Sequence, residues 1–130
     1  MRTDAGALAT LACVCLVLAA SSAACRKTYE AEASQLTGGD PQRGVAAIGR
    51  YGCGSCHTIP GIRNARGTVG PPLTGIASRT YLAGRVTNTP ADMMRWIQHP
   101  QKIEPGTAMP EMGVTDSDVR DIAAYLYTLR

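Results

Sequence analysis

The 130-residue sequence has no phenylalanine, a single tryptophan and an aromatic content of only 5 %. A chain of this length forms one domain, and such a domain normally draws much of its core from large apolar side chains. The shortage is sharper than composition suggests, because much of the apolar count sits in an Ala-rich segment near the N-terminus. The remainder lacks core material, and a large buried prosthetic group would supply it at roughly 25 cal/mol per Å² of apolar surface removed from water. Charge runs are missing too. Beyond the pair Arg26 and Lys27 the basic residues are scattered and the net charge is +3, so there is no nucleic-acid footprint, only a mild basicity that could steer an acidic partner. No β pattern of any length and no internal repeat appears, which points to an all-α class.

What is present begins with an export signal. Ala5 to Ala24 carries no charge, Leu8 to Ala20 is apolar except for Thr10, Arg2 precedes it, and the small residues Ser21 to Ala24 lead into Cys25. Residues 1–24 are therefore expected to be a signal peptide or membrane-targeting segment. Retained, the segment would make an anchor of roughly 20 residues, the minimum for spanning. The cysteine arithmetic favours lipid attachment at Cys25. Of five Cys, Cys13 and Cys15 lie in the apolar segment and Cys53 and Cys56 form a pair, leaving Cys25 alone at the cleavage boundary. Ala23 and Ala24 resemble a bacterial lipobox, with Ser22 where Leu is usual. Residues 25–39, ending in Gly38-Gly39, read as a flexible tether, and the folded domain is expected over 40–130.

Three helices are expected in it. Asp40-Pro41 supplies an N-cap and a proline at the first helical position, Val45, Ile48 and Tyr51 follow at helical spacing, and Gly52 ends the helix. A second opens at Thr89-Pro90-Ala91-Asp92, runs through Met93, Met94, Trp96 and Ile97, and stops at Pro100. The third opens at Thr115, with Asp116 and Asp118 in its first turn, and continues through Val119, Ile122, Ala123, Leu126 and Leu129. The Gly- and Pro-rich segments 58–88 and 100–114 between them are long for so small a domain, which suggests that they wrap around something.

Cys53-Gly54-Ser55-Cys56-His57 identifies it. Two thiols at i and i+3 can reach the two vinyl groups of a haem, and the adjacent His can ligate the iron from one face. A structural zinc would need two further Cys or His ligands, and the only other His is the isolated His99. A thioredoxin-type dithiol would follow a buried strand, whereas this motif follows a capped helix. A second axial ligand could come from Met93, Met94, Met109, Met112 or His99. Met93 and Met94 belong to a helix. Met109 lies in a loop stiffened by Pro105 before it and Pro110 after it, whereas Met112 shares the loop without that brace, so local chemistry favours Met109.

These pieces together resemble a class I cytochrome c over residues 38–130. Gly44 and Ile48, Cys53 to His57, Gly70-Pro71-Pro72-Leu73, Gly75, Arg79, Trp96-Ile97 with Pro100, and Pro105-Gly106-Thr107-Ala108-Met109 all occur in that family's order. The resemblance implies the class I fold, three main helices and long loops wrapped around one covalent haem c. It implies His57 and Met109 as axial ligands and a hydrogen bond from the other ring nitrogen of His57 to the Pro71 carbonyl. It further implies Arg79 and Thr107 near a propionate, Trp96 beside the haem, and Gly44 in close contact with the last helix near Tyr125. Ile48 stands where the family usually has an aromatic residue, so a looser contact between those helices is expected. His99 is expected to be a helix-end polar residue.

With both axial positions filled, the expectation is a one-electron carrier and not an enzyme, shuttling between membrane-bound respiratory complexes. A quinol-oxidising complex or dehydrogenase would be the donor and a haem-copper oxidase the acceptor, because Gly52 to Thr58 and Val69 to Leu73 resemble the cytochrome domains associated with such oxidases. The alternatives are the electron-accepting cytochrome subunit of a dehydrogenase and a haem sensor or peroxidase-like protein with a labile Met ligand. Haem attachment in this family is extracytoplasmic, so the expected location is the bacterial periplasm, with a monomeric domain held at the membrane surface through Cys25 or the N-terminal segment.

Overall fold

The structure, a computed structural model, describes residues 27–130. The expected export segment 1–24 and the expected lipidation site Cys25 lie outside the described residues. Five helices form the domain: α1 over residues 27–37, α2 (Pro41–Arg50), α3 (Pro90–Gln98), α4 (Pro100–Ile103) and α5 (Asp116–Tyr127). A small antiparallel hairpin, β1 (Tyr81–Leu82) and β2 (Val86–Thr87), pairs Tyr81 with Thr87 and Leu82 with Val86. Its Ala83-Gly84 turn has both residues at positive φ, the left-handed geometry that fits the twist of two strands.

The caps read from the sequence are in place. Asp40 accepts from the amides of Gln42 and Arg43, Thr89 from Asp92 and Thr115 from Asp118. Each satisfies donors that the first helical turn would otherwise leave unpaired. Gly52, at φ 67°, follows the C-cap Tyr51 and turns the chain sharply out of α2. Pro100 both ends α3 and opens α4, because a proline without an N–H is tolerated in the first turn of a helix.

Two expectations are corrected. The tether expected over 25–39 is, from residue 27 onward, largely helix, and that helix is docked. Ala33 is 1 % exposed, Thr37 is buried, the Thr37 hydroxyl donates to the Ala33 carbonyl, and Gly39 N donates to Thr37 Oγ1. Arg130 at the C-terminus ion-pairs with Glu32 at 2.6 Å and stands 4.8 Å from the ring centroid of Tyr29. Tertiary contacts made by one small apolar residue and the chain's far end hold the helix, and its local sequence carries little periodicity. The looseness expected at Ile48 is also absent, since that side chain is 1 % exposed.

The crossing of α2 with α5 is tight because Gly44 presents no side chain. A Cβ there would lie 2.2 Å from the Asp121 carbonyl oxygen and 2.9 Å from Tyr125 Cβ. Gly39 makes a similar approach to the Arg120 carbonyl. Around these contacts sits an ionic clasp: Arg43 donates through Nε and one terminal nitrogen to the two oxygens of buried Asp121, at 2.8 and 2.9 Å, and Asp40 N donates to Oδ1 at 2.7 Å. The Arg43 hydrogen bond leads the effects that hold the Asp121 carboxyl below the usual carboxylate range, outweighing the opposing effect of burial. Hydrophobic residues from α2, α3 and α5, with Ile59, Ile76 and Leu82 from the connections, complete one core.

Gly44→Ala should lower the stability of the holoprotein by about 2–3 kcal/mol through overpacking, read from denaturant unfolding; a neutral effect would refute the close crossing. Asp121, whose folded-state pKa is depressed, contributes stability that is present above its unfolded value and lost as pH falls through the folded one. Asp121→Asn should therefore be less stable than wild type at neutral pH, and the gap should close below about pH 4. Parallel stability profiles across that range would sink this account.

Candidate cofactor site

The Cys53–His57 motif begins where α2 ends, so the α2–α5 crossing also places the thiols. Cys53–Ser55 form one 3₁₀ turn, and the amides of Cys56 and His57 both donate to the Cys53 carbonyl, at 3.3 and 3.0 Å. Both cysteines are half-buried, and burial pushes the Cys53 thiol above its ordinary pKa. Residues 67–71 fold back against the motif: Gly67 N donates to the Gly54 carbonyl at 3.0 Å and Gly70 N to that of Cys56 at 2.8 Å.

His57 is fixed by this return. Its Nδ1 lies 2.8 Å from the Pro71 carbonyl oxygen, which can only accept, so Nδ1 carries the proton and Nε2 keeps a free lone pair. Gly70 is necessary for the ring position, since a Cβ there would lie 2.3 Å from His57 Cε1 and within 3 Å of both ring nitrogens.

The motif opens on a cavity of about 600 Å³. The residues expected around the haem line it: Cys53, Cys56, His57, Pro71, Arg79, Trp96, Thr107 and Met109. Ile48, Ile59, Met93, Ile97, Ile122 and Leu126 supply apolar wall from the core. Met112 also lines it, at 41 % exposure, whereas Met94 and His99 do not. His99 caps the end of α3 and faces Glu111 at 3.5 Å, the helix-end role expected for it. Arg79 donates to the Pro72 and Thr74 carbonyls and is half-buried at the wall, with further guanidinium donors to spare.

Two side chains outside the cavity lining brace the connections that form it, a role the sequence did not reveal. Asn88 donates to the carbonyls of Ile76 and Arg79, both at 2.8 Å, and accepts from the Tyr127 hydroxyl at 3.0 Å, tying the hairpin side of the wall to α5. Tyr125 donates to the Pro60 carbonyl at 2.6 Å, holding the long connection against the same helix. Neither set of bonds follows a pattern in the sequence, because the backbone carbonyls that accept them are brought into reach only when the connections fold.

A shell of helices and long connections that brings two cysteines, a histidine of fixed tautomer and a thioether-bearing loop to one apolar cavity defines a class I c-type cytochrome. Comparison with known proteins agrees. The sequence model of the cytochrome c family matches residues 41–130. A cytochrome c2 of Rhodopila globiformis is 38 % identical over 106 residues, 71 % of this chain and 95 % of that protein. A cytochrome c homolog of Bradyrhizobium diazoefficiens is 32 % identical over 102 residues, 68 % of this chain and 53 % of that longer protein. The chain belongs to the cytochrome c family. Its cofactor is haem c, covalently bound and containing iron, and its activity is electron carriage. Among the described residues no helix is long and apolar enough to cross a membrane.

Gly70→Ala should displace the His57 ring and sharply reduce the yield of low-spin holoprotein, measured as haem absorbance per polypeptide. Wild-type yield and spectrum in this variant would show that the glycine cradle is dispensable.

Proposed function

We infer that the protein is a one-electron carrier in which Cys53 and Cys56 hold the haem through thioethers while His57 Nε2 and the Met109 sulfur ligate its iron. The observation that carries this reading is the convergence on one cavity of both thiols, the free Nε2 of a histidine tied to Pro71 through Nδ1, and Met109. Met109 is favoured over Met112 because it is half-buried and its main chain is hydrogen-bonded to α4, whereas Met112 is 41 % exposed.

The bound haem supplies a one-electron change of oxidation state. With His57 and Met109 both as ligands, the iron would keep no position for oxygen, peroxide or substrate, which suits a carrier and not a catalyst. A thioether ligand and an apolar wall both favour the reduced state, giving a moderately positive potential. Arg79 and Thr107 are assigned to the propionate side, and Trp96 to the haem flank.

Donor and acceptor are membrane-bound respiratory complexes: a quinol-oxidising complex or dehydrogenase upstream, a haem-copper oxidase downstream, each met through a small, short-lived interface. The location is the periplasm, because haem c is attached outside the cytoplasm. Lipidation at Cys25 would keep the domain beside the bilayer, so that effective concentration replaces affinity.

Visible spectra of the oxidised and reduced holoprotein test the ligand set. Wild type should show a low-spin c-type spectrum with a weak far-red sulfur-to-iron band that disappears in Met109→Ala, and the reduced protein should not bind carbon monoxide at neutral pH. A missing band in wild type, its survival in the variant, or carbon monoxide binding by wild type would each overturn the carrier reading in favour of an open or differently ligated iron.

A further inference from the structure

The segment that carries Met109 has little backbone structure of its own. Over residues 105–113 the backbone hydrogen bonding is a single turn, Thr107 N to the Glu104 carbonyl at 3.1 Å. A side chain supplies what the backbone does not. Gln101, on α4, donates from Nε2 to the Thr107 carbonyl at 2.7 Å and to the Met109 carbonyl at 2.9 Å, while its Oε1 accepts from Gly106 N at 3.1 Å. Both Nε2 protons and the amide oxygen are thus engaged, and all three bonds fall on the five residues that end at Met109. The amide fixes the loop at both ends, Gly106 and Met109, from a helix anchored by buried Pro100.

We propose that Gln101 is the positioning residue for the axial methionine: its amide holds the Met109 main chain in place and so sets how readily the sulfur leaves the iron. The proposal rests on Met109 being the ligand. Physically, a thioether carried by a loop with a single backbone turn competes with its own loop's freedom, and each bond to Gln101 removes part of that freedom before the iron–sulfur bond forms. A second glutamine gives the control. Gln98 donates to the Val114 carbonyl at 3.1 Å and to Asp116 at 2.9 Å, so it ties down the far end of the same connection without touching Gly106 to Met109.

The test is titration of the ferric holoprotein with imidazole, which captures iron when the methionine is off, alongside the far-red band and thermal unfolding. Gln101→Glu keeps size and the acceptor for Gly106 but removes both donors; Gln101→Ala removes all three bonds. Both should bind imidazole roughly tenfold more tightly than wild type with a weakened band. Gln98→Ala should stay within about twofold of wild type in imidazole affinity, whatever it does to stability. Unchanged imidazole affinity in both Gln101 variants, or an equal gain in Gln98→Ala, overturns the proposal. If a variant fails to take up haem, the wild type decides: in the reduced protein the Gln101 side-chain amide protons should exchange with solvent far more slowly than those of exposed Gln35, and equal rates refute the clamp. A wild type without the far-red band would instead refute Met109 ligation itself.

Discussion

The rest of the molecule depends on the place where α2 meets α5. Gly44 allows the two helices to touch backbone to side-chain root, at a distance no Cβ would permit, and Asp121 at that point receives Arg43 and the Asp40 amide. Because the motif cysteines follow α2 with only Tyr51 and Gly52 between, the crossing sets the position of the thiols. Because Ile122 and Leu126 follow Asp121 along α5, it also sets the apolar wall they face. One close approach thereby joins the structural core to the cofactor cavity.

Around that fixed corner the long connections are held by scattered polar tethers, with little regular secondary structure. Pro71 receives His57, Pro60 receives Tyr125, Asn88 joins Ile76 and Arg79 to Tyr127, and Gln101 holds the methionine loop. Such tethers matter because a loop's backbone groups need partners once they are removed from water. They also make the cavity wall a single connected shell. The two sides differ in kind: the histidine side is braced by glycines packed against backbone, the methionine side by a side-chain amide. Backbone contact leaves the His57 side little freedom, whereas the methionine side depends on one side chain that a single substitution can change.

Much of this was legible beforehand. The three capped helices needed only local chemistry: Asp40-Pro41, Thr89-Pro90 and Thr115 each satisfy amides a few residues away. Cys53 to His57 was legible for the same reason, since its spacing is its chemistry. The residues Pro71, Arg79, Trp96 and Thr107 were reached through family resemblance, and they line the cavity. The helix at 27–37 was not legible. It is held by Ala33 packed in the core, and at the surface Glu32 meets Arg130 from the far end of the chain, contacts that no local pattern encodes.

The sequence by itself determined the helix starts and the spacing of the Cys53–His57 motif, because each depends on neighbours along the chain. Only the tertiary structure decided that Gly44 is a crossing point, that the segment before Asp40 is a docked helix, and that Gln101 serves the loop of Met109. Those roles depend on distances between residues remote in sequence, and no local propensity or spacing encodes them until the chain has closed on itself.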